Sequence, residues 1–155
     1  MLCIGVGNIY RGDDGVGPYV AQRLQNLQLP GLVACEASGE GTDLISRWSD
    51  FRCVAVVDAV ISGAEPGALI ELDVRAQPIL SSMFATSTHA FGVAEAVEMA
   101  RILGQLPEYL RIYGIEGASF EHGCGLTQIV EETADQVVQR IAAEVERLEA
   151  RGGAD

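Results

Sequence analysis

The sequence predicts an α/β fold: a single-domain, three-layer sandwich with a mostly parallel, twisted sheet of about five strands and helices on both faces. Short apolar, β-branched runs alternate along the chain with segments whose apolar residues recur at helical spacing. Connections between parallel strands are right-handed, which places helices on both faces of the sheet. A length of 155 residues suits one hydrophobic core. We therefore expect one domain over residues 1–150 and a flexible tail over residues 151–155.

The first elements are expected to be two strands joined through a helix. Leu2–Val6 is a short apolar run that ends at a glycine-rich loop, Gly7–Gly17, as a buried first strand would. Tyr19–Leu27 carries apolar residues on one helical face. Leu32–Cys35 then predicts a second short strand.

The middle of the chain predicts a helix, the central strand and a hairpin. Thr42 could cap a helix that ends near Trp48. Cys53–Val60 is continuously apolar and β-branched apart from one aspartate, which is typical of a strand covered on both faces. The short turn cluster Ser62–Gly67 then leads to Leu69–Leu72, which we expect to pair with the central strand as a hairpin.

The last elements are two helices around a final strand. Ala90–Leu103 has a helical apolar face, and Gly104 is well placed to end that helix. Leu110–Ile115 predicts another strand. Thr127 is expected to cap a long final helix, whose apolar stripe recurs at helical spacing.

The charge and residue usage exclude several classes of function. A net charge of -12 repels phosphate backbones and anionic lipid, so we expect no nucleic-acid and no membrane partner. All ten basic residues are arginine, which excludes Schiff-base catalysis and a P-loop lysine. The four cysteines form no CxxC pair and are expected to be reduced, structural thiols. Together with an amino terminus that lacks a basic n-region, they favour a cytoplasmic location.

Three candidate site segments follow predicted strands or precede a predicted helix. They are Asp13-Asp14 in the first loop, Asp58 late in the central strand, and His89 just before Ala90. Ligands in doubly wound sheets bind beyond the carboxyl ends of the strands, so we expect these segments to converge in a solvent-open cleft. One of Asp13 and Asp14 is expected to cap the following helix while the other faces the cleft.

Two other interpretations of the polar loops are weaker. A dinucleotide-binding loop would need a third glycine where Tyr10 stands, and the aspartates of that loop would repel a pyrophosphate. His122 and Cys124 could suggest a thiol nucleophile with its base, but their adjacency in sequence provides no hydrogen-bond geometry and no orienting third group.

Two carboxylates with one imidazole suit nickel, zinc or iron better than calcium, which requires more oxygen ligands. The set formed by one of Asp13 and Asp14 together with Asp58 and His89 could be a catalytic metal site, or it could recognise a metal carried by another molecule. Composition does not separate these two alternatives.

The sequence resembles the hydrogenase maturation proteases from Leu2 to about Leu148. The most specific likeness is the amino-terminal signature, and weaker segments follow in the order typical of the family. The segments are Gly5-Val6-Gly7-Asn8, Asp13-Asp14-Gly15-Val16-Gly17, Val56-Val57-Asp58-Ala59, Thr88-His89, Phe91-Gly92-Val93-Ala94, Ala118-Ser119-Phe120 and Gly125-Leu126-Thr127.

The resemblance implies an endopeptidase that removes the carboxy-terminal extension of a nickel–iron hydrogenase large-subunit precursor after nickel insertion. It implies that Asp14, Asp58 and His89 contact the metal, and that nickel is supplied by the substrate rather than held by the free enzyme. The family often has glutamate at the position of Asp14 and proline where Gln128 stands. We expect a monomer whose partner is the precursor. A metal-sensing or nickel-chaperone module without peptidase activity and a nucleotide-binding protein remain alternatives.

Overall fold

The computed structural model describes residues 1–77 and 90–152, and in this part of the chain five strands form one sheet. The strand order is β2-β1-β3-β5-β4. All neighbouring strands are parallel except β4, which runs antiparallel to β5 at one edge. The strands are β1 (Leu2–Val6), β2 (Val33–Ala37), β3 (Cys53–Val60), β4 (Leu69–Asp73) and β5 (Tyr109–Glu116).

Helices cover both faces of the sheet, which confirms the predicted fold class. They are α1 (Val16–Leu27), α2 (Gly41–Trp48), α3 (Ala90–Leu103) and α4 (Gln128–Gly152), and a 3-10 turn over Gly12–Gly15 precedes α1. Buried residues of α2 and α3 pack on one face of the sheet, and buried residues of α1 and α4 pack on the other. Within the described residues, no helix combines the length and apolar character needed to cross a membrane.

The central strand β3 divides its side chains between the two cores. Val54, Val56 and Val60 belong to the core under α2 and α3, whereas Ala55 and Val57 belong to the core under α1 and α4. Successive strand residues point to opposite faces, so Asp58 lies on the α2–α3 side together with Val56 and Val60.

The hairpin predicted between the central strand and Leu69–Leu72 is wrong. Strand β5 lies between β3 and β4 and pairs with both of them. The turn at residues 61–68 reverses the chain, as predicted, but the reversal does not decide which strand becomes the neighbour. A strand as apolar as β3 requires a partner on each side, and β1 and β5 provide them.

The helix ends differ from the prediction in small ways. The residue that precedes α2 is Glu40 rather than Thr42, and the Thr42 hydroxyl donates to the Glu40 carboxylate at 2.6 Å. Gly104 does end α3, with a left-handed φ of 67°. Helix α4 continues through Gly152, so it includes the first two residues of the predicted tail, while residues 153–155 lie outside the described part.

Candidate functional site

Two of the three predicted ligand residues lie at the carboxyl edge of the sheet. Asp14 is in the 3-10 turn that follows β1, and Asp58 is two residues before the end of β3. Strands β1 and β3 are parallel neighbours, with Gly5 opposite Val57, so the turn after β1 and the end of β3 lie at the same edge. The 3-10 turn and β3 are in contact with each other, and whether Asp14 and Asp58 act jointly stays a prediction.

Both carboxylates are buried rather than open to solvent. Asp14 is 1% exposed and Asp58 is 0% exposed, so the predicted solvent-open cleft is wrong for these two residues. A buried carboxylate is costly to desolvate and is retained where it has partners or a charged ligand. Their burial is therefore typical of residues that are held in place for a specific interaction.

The chain near Asp14 is a tightly bonded turn. The Asn8 N–H donates to the Asp14 carbonyl oxygen and to its Oδ2, each at 3.2 Å, and the Asp14 N–H donates to the Arg11 carbonyl at 3.1 Å. Gly7 has a φ of 141°, and a Cβ at this position would lie 1.9 Å from the Asp14 carbonyl oxygen. The glycine is required because the loop folds back onto the residue that carries the carboxylate.

Asp13 has a different role from the predicted helix cap. Its Oδ2 accepts from the backbone N–H groups of Ala118 at 2.7 Å and Ser119 at 2.9 Å, and its Oδ1 accepts from the Thr127 N–H at 2.7 Å. The Thr127 hydroxyl also donates to this carboxylate. Residue Asp13, which is 0% exposed, thus anchors the β5–α4 loop against the first loop. The cap of α1 is Gly15, without a side-chain hydrogen bond.

Backbone hydrogen bonds complete this junction of two loops. The Gly12 N–H donates to Cys124 O at 3.2 Å, and the Gly123 N–H donates to Tyr10 O at 3.0 Å. His122 and Cys124 are both exposed, and no hydrogen bond joins their side chains in the described part of the chain. The geometry therefore does not form the histidine–cysteine pair of a thiol peptidase.

Sequence analysis missed one buried carboxylate at this edge, Glu116 at the end of β5. It is 3% exposed and accepts hydrogen bonds from the N–H groups of Ser62 and Gly63 and from the Ser62 hydroxyl. It holds the turn that leaves β3. The signal was available, because Glu116 ends an apolar strand just as Asp58 interrupts one.

The third predicted ligand, His89, lies outside the described residues. Within residues 1–77 and 90–152, no group of three or more His, Cys, Asp and Glu side chains is arranged to hold a metal ion. The joint placement of Asp14, Asp58 and His89 therefore stays a prediction.

Three of the four thiols lie in strands of the sheet. All four cysteines are free, and Cys3, Cys35 and Cys53 lie in strands as predicted. Burial, followed by the proximity of Cys35, raises the pKa of Cys3 to about 12, so this thiol stays protonated and unreactive near neutral pH.

Comparison with known proteins identifies relatives along most of the chain. A family model described as HycI, hydrogenase maturation protease, matches residues 18–144. The hydrogenase 2 maturation protease of Escherichia coli is 28% identical over 146 residues, which are 92% of this chain and 88% of that protein. A putative hydrogenase maturation protease of Methanocaldococcus jannaschii is 27% identical and covers 95% of this chain and 97% of its own length.

Solved structures share the fold. The hydrogenase maturating endopeptidase HybD of Escherichia coli superimposes with a TM-score of 0.80 at 23% identity, over 94% of this chain and 91% of that one. The nickel–iron hydrogenase maturation protease HycI of Thermococcus kodakarensis gives a TM-score of 0.71 at 25% identity, with the same coverage of 94% and 91%. These comparisons confirm the resemblance stated from the sequence motifs.

Proposed function

The chain belongs to the hydrogenase maturation protease family, an endopeptidase family, and on that premise we propose that it removes the carboxy-terminal extension of a nickel-loaded nickel–iron hydrogenase large-subunit precursor. The observation that carries this proposal is the pair of buried carboxylates, Asp14 and Asp58, at one edge of the sheet. A buried pair of acids suits the recognition of a cation better than the binding of an anionic cofactor.

We propose that Asp14, Asp58 and His89 ligate the nickel that the precursor carries. Asp58 lies on the sheet face that α2 and α3 cover, and α3 begins at the residue after His89. The first turn of α3 packs closely on the loop that follows β2, since a Cβ on Gly92 would lie 1.7 Å from Gly39 O. This packing places the start of α3 at the carboxyl edge of the sheet.

The reaction is the hydrolysis of one peptide bond. Water adds to the scissile carbonyl carbon, the carbon–nitrogen bond breaks, and the leaving amine takes up a proton. The nickel of the substrate polarises the carbonyl or lowers the pKa of the attacking water. Asp14 and Asp58 hold the metal centre so that the bond is positioned, and one of them can also accept the proton of the water. Neither Cys124 nor a serine is assigned as a nucleophile.

Recognition through a metal that the substrate carries restricts cleavage to precursors that are loaded with nickel. A precursor without nickel presents nothing for the two carboxylates and His89 to bind, so its extension stays in place. We also propose that the enzyme acts as a monomer in the cytoplasm, where hydrogenase assembly supplies the loaded precursor.

The decisive experiment compares nickel-loaded with nickel-free precursor. Each form is incubated with the purified enzyme, and the intact masses of the products are measured. We expect one carboxy-terminal peptide to be lost from the loaded form alone. If the loaded precursor binds but stays intact, the chain is a metal-sensing or nickel-chaperone module. If both forms are cleaved equally, recognition does not depend on nickel.

A further inference from the structure

We propose that the turn Ile9–Arg11 is a docking contact that seats an apolar segment of the precursor beside Asp14. This inference rests on the proposed function, because it assigns the contact to the protein substrate of that same site. The turn consists of Ile9, Tyr10 and Arg11, and it is called the docking turn below.

The docking turn exposes apolar side chains where turns usually carry small polar ones. The Arg11 N–H donates to Asn8 O at 3.1 Å, which makes Ile9 and Tyr10 the two central residues of a β-turn. Asn, Asp, Gly, Pro and Ser dominate such positions. Here Ile9 is 48% exposed and Tyr10 is 71% exposed, so packing within the described chain does not account for their apolar character.

The backbone of the docking turn is fixed from two sides. The Tyr10 N–H donates to Asn8 Oδ1 at 2.9 Å, and Tyr10 O accepts from the Gly123 N–H at 3.0 Å. A fixed backbone presents the two side chains with little further loss of chain entropy when a partner binds. The exposed pair is therefore preorganised, unlike apolar residues on a loose loop.

The position of the docking turn identifies its partner. Asn8, the residue that precedes the docking turn, donates its N–H to the Asp14 carboxylate. A precursor whose nickel binds at Asp14 would therefore lie close to the docking turn. A protein substrate offers apolar side chains next to its metal centre, whereas a free metal ion does not.

Arg11 adds a polar contact at the same place. In the described part of the chain it forms no ion pair, although seven of the ten arginines do, namely Arg23, Arg47, Arg52, Arg101, Arg111, Arg140 and Arg147. A guanidinium that forms no ion pair with the described residues can bind a carboxylate or carbonyl group of the docked segment. The proposed partner segment is thus apolar and flanked by such an acceptor.

The test is steady-state cleavage of the nickel-loaded precursor by Tyr10→Ser. We expect KM to rise about tenfold with kcat retained within about twofold, since the lost contact acts in binding rather than in bond cleavage. Arg11→Gln should raise KM less and should make KM less sensitive to salt. The matched control is Ile102→Ser, because Ile102 is 84% exposed on α3 and should leave KM unchanged.

The outcomes separate this inference from the proposed function. If the wild-type enzyme cleaves the loaded precursor and Tyr10→Ser has the same KM, the docking turn is refuted while the function stands. If the wild-type enzyme fails to cleave, the function itself fails. Sedimentation velocity adds a third outcome: a dimer that Tyr10→Ser dissociates without a change in KM would assign the turn to self-association and overturn the inference.

Discussion

Asp13 and Asp14, which are adjacent in the first loop, have different structural roles. The carboxylate of Asp13 is saturated by N–H and hydroxyl donors from Ala118, Ser119 and Thr127. Asp14, its neighbour, lies at the carboxyl edge of the sheet. Asp13 therefore positions the loop on which Asp14 is carried, and the first loop and the β5–α4 loop act as one unit.

Removal of the Asp13 carboxylate should destabilise the whole protein. Asp13→Ala leaves three backbone N–H groups without their acceptor in a buried junction, and hydrogen bonds to charged groups contribute about 1.5–3 kcal/mol each. We expect the free energy of unfolding to fall by roughly 3 kcal/mol, measured by urea denaturation. The control is Asp43→Asn, which removes only an exposed pair with Arg47. Equal losses in both variants would contradict the anchoring role.

Asp58 and His89 should be required for cleavage rather than for folding. Asp58→Asn keeps the size of the buried side chain but removes its charge, and His89→Ala removes the imidazole. We expect each to lower the rate of precursor cleavage at least about a hundredfold, the lower end of what acid–base and charge effects contribute. Circular dichroism checks the fold.

The matched control for Asp58→Asn is Glu116→Gln. Glu116 is another buried carboxylate at the same edge, but its partners are the backbone and hydroxyl of the β3–β4 turn. The Glu116→Gln variant should be less stable than the wild-type protein and should cleave the precursor at the wild-type rate. Normal processing by Asp58→Asn would remove Asp58 from the mechanism.

The Cys124 thiol should not be required for cleavage of the precursor. It is exposed and lies in the loop that contacts Gly12, yet no side-chain hydrogen bond connects it to His122 in the described chain. Cys124→Ala should process the loaded precursor at the wild-type rate in a mass-spectrometric assay. A folded but inactive variant would revive a thiol mechanism.

At the level of elements, the contact between β1 and α1 positions the candidate site. A Cβ on Gly5 would lie 2.0 Å from Gly17 O, and a Cβ on Gly17 would lie 2.2 Å from Val6 O. The helix can begin directly against the sheet only because both residues lack side chains. This close approach sets where the 3-10 turn with Asp14 lies relative to β3.

Gly17→Ala should therefore destabilise the fold. The added methyl group overlaps backbone atoms of β1 and β3, which cannot move independently, and overpacking of this kind costs about 1–3 kcal/mol or more. We expect a clear decrease in the thermal unfolding temperature. Gly125→Ala is the control, since no heavy atom of residues 1–77 or 90–152 lies within 4 Å of the place that its added methyl group would occupy. A Gly17→Ala variant as stable as wild type would show that the contact is not tight.

The sequence predicted the bounds of strands and helices better than it predicted which strands and side chains are neighbours in space. The bounds of β3 and α3 were correct because apolar runs and a glycine stop are local signals. The pairing of β4 with β5 was missed because the register Leu69 to Ile115 joins strands far apart in sequence. The same reason applies to Asp13, whose partners lie more than 100 positions away in the chain.

The sequence placed acidic residues at the carboxyl edge of the sheet, but it did not predict that Asp14 and Asp58 are buried there. Strand ends in a doubly wound sheet point to Asp58 and to the Asp13-Asp14 pair without knowledge of partners, and the family resemblance selects Asp14. Burial is different, because it depends on everything packed around a side chain. Sequence alone therefore suggested an open cleft, while the structure encloses both carboxylates.

For the molecule as a whole, charge and ligand type bear on where the metal resides. A net charge of -12 attracts cations generally, so weak metal binding alone does not identify the site. The proposed set has only three ligands, two of them carboxylates, which hold nickel less tightly than thiolates or additional imidazoles would. Under the proposed function, the free enzyme would have an incomplete coordination shell that the precursor's own nickel ligands complete.

We therefore predict that enzyme purified without added metal contains no stoichiometric metal, as measured by elemental analysis. Nickel, zinc or cadmium supplied at high concentration should bind weakly. Because carboxylates and imidazole ligate only when deprotonated, the affinity should fall as the pH is lowered through the range in which they take up protons. Asp58→Asn should abolish this binding, whereas Glu116→Gln should retain it. One tightly held metal equivalent that survives chelation and is needed for cleavage would instead make the protein an ordinary metallopeptidase. The proposal that the substrate carries the nickel would then be wrong.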